Sequence, residues 1–339
     1  WITDPMQSLP ELTCDAFNQN INHHIKTAAP LVVRGLVNHW PAVLQAKTSQ
    51  KGYADLIARQ ASSKPLTAFS ISAEHEGRIF YNDRFDGFNF SRVQLTLQAA
   101  LAQFDALAQQ PRPDTLYIGS TNVDHWLPEF GKANVLNIDL PNPTVSLWMS
   151  NHSVVAPHFD FPSNLACVIS GTRQFTLFPP DQLSNLYVGP LDLTPAGQPI
   201  SLVNLSRPDL KRFPRFEIAE AQGFTARLGP GDAILIPSMW WHQVEAIGDL
   251  NTLINYWFRD PAGAEHHGPP LAALQHAMLA FKDLEPNQKK TWQALLDYYV
   301  FNQDPAQFDH IPKAARGILN PIDQSLGQTI RSTIRRLLR

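Results

Sequence analysis

His158 and Asp160 stand at i and i+2 in Ala156-Pro157-His158-Phe159-Asp160-Phe161-Pro162. On an extended segment that spacing turns both side chains to one face, as two ligands of a single ion require. Alone, a His-x-Asp pair arises often by chance. A third donor stands 84 positions on (242 − 158): His242 follows Ile234-Leu235-Ile236-Pro237 and Trp240-Trp241, at the start of another strand-like run. Two imidazoles and one carboxylate on one side of an ion leave the opposite positions open, the facial arrangement of non-haem iron(II) oxygenases. A structural zinc site would need four closed ligands, often thiolates, and neither Cys14 nor Cys167 stands at a ligand spacing.

The elements that would position these residues are short and β-rich. From Leu116 to about Phe258 the chain runs through LYIGS, VSLWMS, ACVIS, FTLFPP, TARL, AILIP and TLINYWF, separated by proline, glycine and asparagine. Evenly spaced short strands with turn signals between them predict a sandwich or barrel, not a βαβ sheet. The interval 181–223 interrupts the series and is proline-rich and polar, so it reads as an ordered insert of the kind that carries substrate contacts. Before this region, a helix is expected over 11–28, a strand at Leu31-Val32-Val33 with a turn at Gly35, and a packing helix over 93–109 ended by Pro111-Arg112-Pro113. After Arg259 helices are expected near 269–282, 286–301 and 321–338. In the last, Leu326, Ile330, Ile334, Leu337 and Leu338 share one face, which either packs on its own domain or meets a second copy of the chain.

The 339 residues are 44% hydrophobic, 10% aromatic and 17% charged, enough to fill a large core. A formal net charge of -3 supplies no global pull towards nucleic acid or an anionic membrane. Both cysteines read as reduced, and no run of about 18 apolar residues marks a membrane span. A cytoplasmic location is expected, with Trp1 implying a trimmed or incomplete start. His152, His23-His24 and His266-His267 read as ordinary polar residues, and Trp240, Trp241 and Trp257 as core residues that could also wall a site.

Three blocks carry a resemblance: His158-Phe159-Asp160-Phe161-Pro162-Ser163-Asn164, then Gly171 to Gln182 (GTRQFTLFPPDQ), then Pro237-Ser238-Met239-Trp240-Trp241-His242. With Leu31 to Leu36 and His39-Trp40-Pro41 ahead of them, these resemble the cupin-like JmjC hydroxylases over roughly residues 30–260, nearest the factor-inhibiting-HIF (asparaginyl hydroxylase) branch and its bacterial relatives. The resemblance implies a mainly β, double-stranded β-helix (jelly-roll, cupin) core over residues 1–260 with flanking N-terminal helices. It also implies a C-terminal helical extension over 261–339 that serves dimerisation. It implies iron(II) held by His158, Asp160 and His242, with Asn164 and Asn255 lining the 2-oxoglutarate pocket. Tyr117 would bond the distal carboxylate of that co-substrate, and Arg173 stands where the family usually has lysine. Val155 replaces a threonine that often assists. Arginine keeps the charge and pairs bidentately with carboxylates, but it is longer than lysine.

The implied reaction consumes 2-oxoglutarate and oxygen, releases succinate and carbon dioxide, and hydroxylates a protein or peptide side chain. Hydroxylation of a small metabolite or peptide natural product is an alternative that fold and metal do not separate. Histone demethylation ranks lower, because no zinc-finger or chromatin-reader module accompanies the motifs. A reading of a different class is a catalytically silent cupin that binds metal for structure or sensing.

Overall fold

A computed structural model describes residues 6–259, 270–302, 304 and 306–338. By internal contacts the chain divides into two compact units, residues 1–259 and 260–339.

The first unit is built on thirteen strands. In chain order these are β1 (Gln7–Ser8), β2 (Glu11–Thr13), β3 (Leu31–Arg34), β4 (Pro65–Ile71), β5 (Arg78–Ile79), β6 (Phe90–Thr96) and β7 (Thr115–Asn122). They continue with β8 (Thr144–Ser150), β9 (Ser153–His158), β10 (Ser163–Phe178), β11 (Phe224–Leu228), β12 (Ala233–Ile236) and β13 (Trp241–Phe258). The main path runs β2-β3-β12-β10-β13-β8-β7-β4-β6, with β1, β11, β5 and β9 branching from it. β10 and β13 are long and pair with each other along most of their length, yet exchange their outer partners midway. β10 passes from β12 to β11, and β13 from β9 to β8. Two strands shared between two layers in this way give the jelly-roll core that the family resemblance implies, one form of the sandwich or barrel that the strand pattern predicts.

The exchange needs a corner. Register shifts on β10 at Val168/Ser170 and Ser170/Thr172 mark it, and Gly171 sits there at φ +76°. A Cβ at Gly171 would stand 2.1 Å from Asn251 Oδ1, so glycine is required both by the left-handed backbone and by the close approach.

The layers close over apolar side chains. Ala166, Val168, Phe175, Leu177, Ile234 and Ile236 alternate inward from β10 and β12. A larger cluster joins Val33, Trp40, Tyr53, Leu101, Phe104 and Ile254 between sheet and helices. Burying each such large side chain contributes about 1.5–3 kcal/mol.

Several boundaries differ from the sequence expectation. Residues 11–28 are not one helix: Glu11–Thr13 pairs in parallel with β3, and Thr13 then caps the helix Cys14–Gln19, accepting from Ala16 N at 3.3 Å. A second short helix, Ile21–Lys26, follows and carries His23 and His24. Residues 93–96 belong to β6, and the helix begins at Leu97, where Thr96 Oγ1 accepts from Ala99 N at 3.2 Å. In both places a threonine hydroxyl stops the strand and starts the helix.

The insert 181–223 is ordered. Leu186, Val203, Phe213 and Phe216 are buried against Phe178 and Trp241 at the end of the barrel. Within the second unit the helices Pro270–Phe281 and Pro286–Leu296 bring Phe281 and Trp292 into a stack with centroids 4.8 Å apart. A π-helical turn, Asp297–Phe301, continues the latter, and Gln324–Leu337 is the last helix, capped by Asp323. No helix among the described residues is long and apolar enough to cross a membrane. Both cysteines are free thiols, and burial raises that of Cys167. His266-His267 lies outside the described residues.

Candidate metal and oxo-acid site

His158 is the last residue of β9, and His242 is the second residue of β13; the two are register partners across the antiparallel pair. Their rings lie 4.3 Å apart. Asp160 follows two residues after His158, as the extended spacing requires, and its Oδ2 is 3.6 Å from His242 Nε2. One ligand atom from each of the three residues falls within 4.8 Å of the others, and among the described residues no further His, Cys, Asp or Glu joins the group.

The backbone fixes the tautomers. Each ring places Nδ1 2.9 Å from the carbonyl oxygen two residues earlier, Ala156 for His158 and Trp240 for His242. A carbonyl only accepts, so Nδ1 carries the proton and Nε2 offers its lone pair to a metal. Burial, reinforced by His158 nearby, pushes His242 down to about 4, which keeps it neutral as a ligand must be.

The carboxylate is also held. Trp257 Nε1 donates to Asp160 Oδ2 at 3.1 Å. The turn before β13 is tied to the segment after β9 by Met239 N donating to the Asp160 carbonyl (2.9 Å) and by Ser238 Oγ donating to the Phe161 carbonyl (2.6 Å). Met239 takes φ +68°, strained for a non-glycine residue. Sequence reading assigned Trp257 to packing or walling and missed this bond, whose signal is only the position of an indole one strand from the aspartate (Asn164 pairs with Trp257). Trp241 is core, whereas Trp240 is half-buried and donates its indole N–H to the Ala28 carbonyl.

Beyond the triad a narrow recess is lined by Tyr117, Asn164, Arg173, Asn255 and Val155, with apolar walls including Phe175, Val244 and Leu253. The positions that sequence resemblance singled out thus converge here. Arg173 lies mid-way along β10, pairs with Leu228 and Ala246, and is only 3% exposed. Its guanidinium meets no carboxylate among the described residues. Nη2 makes one long contact, 3.5 Å to the Trp148 carbonyl, and Nε has no partner. Burial pushes Arg173 down to about 10, so it remains charged at neutral pH. A buried cation without a counter-ion is costly, and an anion arriving in the recess would relieve that cost. Tyr117, buried beside it, is raised by that burial and keeps its phenolic proton, available to donate. Trp148 Nε1 donates to Asn255 Oδ1 (2.7 Å), and Asn255 Nδ2 donates to Asn164 Oδ1 (3.1 Å). This chain fixes the amide orientations and leaves Asn164 Nδ2 without a side-chain partner among the described residues.

A jelly roll carrying a His-Asp-His cluster that could hold a metal, with a buried cation behind it, defines a cupin-like domain with a candidate metal site. The family model described as "Cupin-like domain" matches residues 18–264, and the chain belongs to that family. It is 26% identical over 257 residues to lysine-specific demethylase JMJ31 of Arabidopsis thaliana, covering 69% of this chain and 46% of that protein. It is 25% identical over 268 residues to lysine-specific demethylase 8 of Xenopus tropicalis, covering 76% and 54%. With HSPB1-associated protein 1 of Homo sapiens it shares 34% identity over 114 residues, covering 33% and 23%. The chain therefore spans about half or less of the length of these relatives. Their names do not single out the asparaginyl hydroxylase branch.

Proposed function

We propose that this chain is an iron(II)- and 2-oxoglutarate-dependent dioxygenase that hydroxylates a side chain of a protein or peptide. The observation that carries the reading is the juxtaposition, in one recess, of three side chains able to hold a metal and a buried guanidinium that meets no carboxylate among the described residues. His158 Nε2, the Asp160 carboxylate and His242 Nε2 would hold iron(II), a donor set of nitrogen and oxygen that suits it and leaves room for a chelating oxo-acid and oxygen. Arg173 and Tyr117 would take the far carboxylate of 2-oxoglutarate, the arginine by paired charge-assisted bonds and the tyrosine by its hydroxyl. When bound, the metal and co-substrate would supply the oxidising power, the two atoms of oxygen being divided between succinate, formed with loss of carbon dioxide, and a hydroxyl on the substrate.

The protein's own contribution is position and dryness. Trp257 and the two backbone carbonyls fix the ligand atoms, while Phe175, Val244 and Leu253 keep water from the recess. No general acid or base is called for.

The test is succinate formation with iron(II), ascorbate, oxygen and 2-oxoglutarate, against an Asp160→Ala control. Turnover above the control supports the enzyme. No difference, with or without peptides, supports a silent cupin.

Two relatives bear demethylase names, and demethylation would use the same site, with hydroxylation of an N-methyl group followed by loss of formaldehyde. Polypeptide substrates fit the free edge of β6, which among the described residues pairs only with β4 and so offers backbone groups to an extended chain. Membership of the factor-inhibiting-HIF-type branch is proposed on the three sequence blocks alone. We further propose that the second unit pairs with another copy of the chain, since Leu279, Phe301 and Leu337 of its helices are 81%, 67% and 75% exposed.

A further inference from the structure

Beside the triad, and continuous with it through His158, Asp160 and Trp257, lies a second cavity of about 480 Å³. Away from the triad its lining includes Thr67 and Phe69 of β4, Gly119 and Ser120 of β7, and Pro195, Ala196, Gln198 and Ile200 of the insert. Among the described residues, His158 and Asp160 are the only acidic or basic side chains other than the neutral phenol of Tyr117 on that lining. Asp160 is already committed, to the Trp257 indole and to the ligand cluster. The insert segment Pro195-Ala196-Gly197-Gln198-Pro199-Ile200 carries no charge; Asp192, three residues ahead of it, is not among the lining residues.

Resting on the dioxygenase reading above, we infer that this chamber receives an uncharged side chain of a polypeptide and rejects lysine, methyl-lysine and arginine. A cation entering it would lose its water without gaining an anion, because Asp160 is engaged in the ligand cluster and the oxo-acid's carboxylates would be taken up by the metal and by Arg173. Aromatic rings do not make up the difference. Phe69, Tyr117, Trp148 and Trp257 contact one another in series, with centroids 6.0, 6.4 and 5.6 Å apart, and a cation resting on one of these rings would regain about 2 kcal/mol, less than the several kcal/mol lost with its water. Ile79, Val155, Ala156, Pro195 and Ile200 add aliphatic surface suited to methyl and methylene groups. Gln198 makes no side-chain hydrogen bond among the described residues and is half-buried at the chamber's edge, so it reads the substrate's backbone or an amide. The discrimination against a cation should be at least about 100-fold in kcat/KM.

The experiment offers the iron-loaded chain, with 2-oxoglutarate and oxygen, three pools of peptides with randomised flanks. The central residue is leucine, valine, asparagine or glutamine in the first, lysine or dimethyl-lysine in the second, and aspartate in the third. Succinate and peptide mass are read together. Addition of one oxygen confined to the first pool supports the inference. Formaldehyde release from the second pool at a comparable rate overturns it while upholding the dioxygenase. Succinate without a modified peptide in any pool overturns it too, and absence of succinate sinks the underlying reading along with it. Gln198→Glu, which adds an anion at the edge, should raise turnover of the cationic pool at least about tenfold. No such gain would show that Gln198 does not meet the bound side chain, and would overturn its assignment.

Discussion

Replacing Arg173 by methionine separates binding from stability in a way few substitutions do. Burial lowers the guanidinium from its ordinary 12.5 to about 10, which corresponds to about 3 kcal/mol spent on keeping it charged in the empty fold. Methionine fills a similar volume without the charge, so the variant should fold at least as well as the parent, with Tm higher by a few degrees. Its affinity for 2-oxoglutarate should collapse. Two charge-assisted bonds to a carboxylate, each contributing roughly 1.5–3 kcal/mol, amount to a loss on the order of 100- to 10,000-fold in Kd. Iron affinity should be unchanged, because Arg173 touches none of the three ligands. Anaerobic calorimetric titration of 2-oxoglutarate into the iron-loaded protein, with thermal melts of the metal-free form, measures all three. A 2-oxoglutarate Kd within about threefold of the parent would refute the assignment. A lowered Tm with weakened iron binding would show that Arg173 supports the fold.

Other outcomes follow from the same geometry. Trp257→Phe removes the donor to Asp160 Oδ2 but keeps a ring, and should weaken iron binding by about 10- to 100-fold while leaving 2-oxoglutarate affinity of the loaded enzyme nearly intact, measured by chelator competition. Because burial lowers Arg173, its charge in the empty site is present below about 10 and lost as pH rises through it. The affinity for 2-oxoglutarate should therefore fall above that pH, and the fall should vanish in Arg173→Met; a Kd flat to pH 11, on the order of one unit higher, would contradict the anchor. A double substitution, Ile334→Glu with Leu337→Glu, should convert a dimer to a monomer in light scattering without lowering succinate formation per chain; a wild-type monomer would refute the proposed pairing.

The metal face was legible because it rests on local rules. The i, i+2 spacing on an extended segment fixes where His158 and Asp160 point, and His242 precedes a run whose β-character is plain. A sandwich or barrel was legible from evenly spaced short strands, and its jelly-roll form from the family resemblance, although β10 and β13 each absorbed two runs that turn residues had seemed to separate. Gly171 looked like a turn and is instead a corner within a continuous strand. Where helices begin was less visible: residues 93–96 fit an apolar helical stripe as well as they fit β6, and pairing with β4 decides the matter. The bond from Trp257 to Asp160 could not be read at all, since an indole N–H has no sequence signature and its partner is 97 residues away. Gln198 belongs to the same class, for only the path of the insert brings it to the chamber.

The most direct test is a crystal structure of the chain with manganese(II) in place of iron and with 2-oxoglutarate. The metal should be bound by His158 Nε2, the Asp160 carboxylate and His242 Nε2, with the oxo-acid completing its shell and its far carboxylate on Arg173 and Tyr117. A metal held elsewhere, a fourth side chain closing the shell, or an oxo-acid whose far end lies away from Arg173 would contradict it.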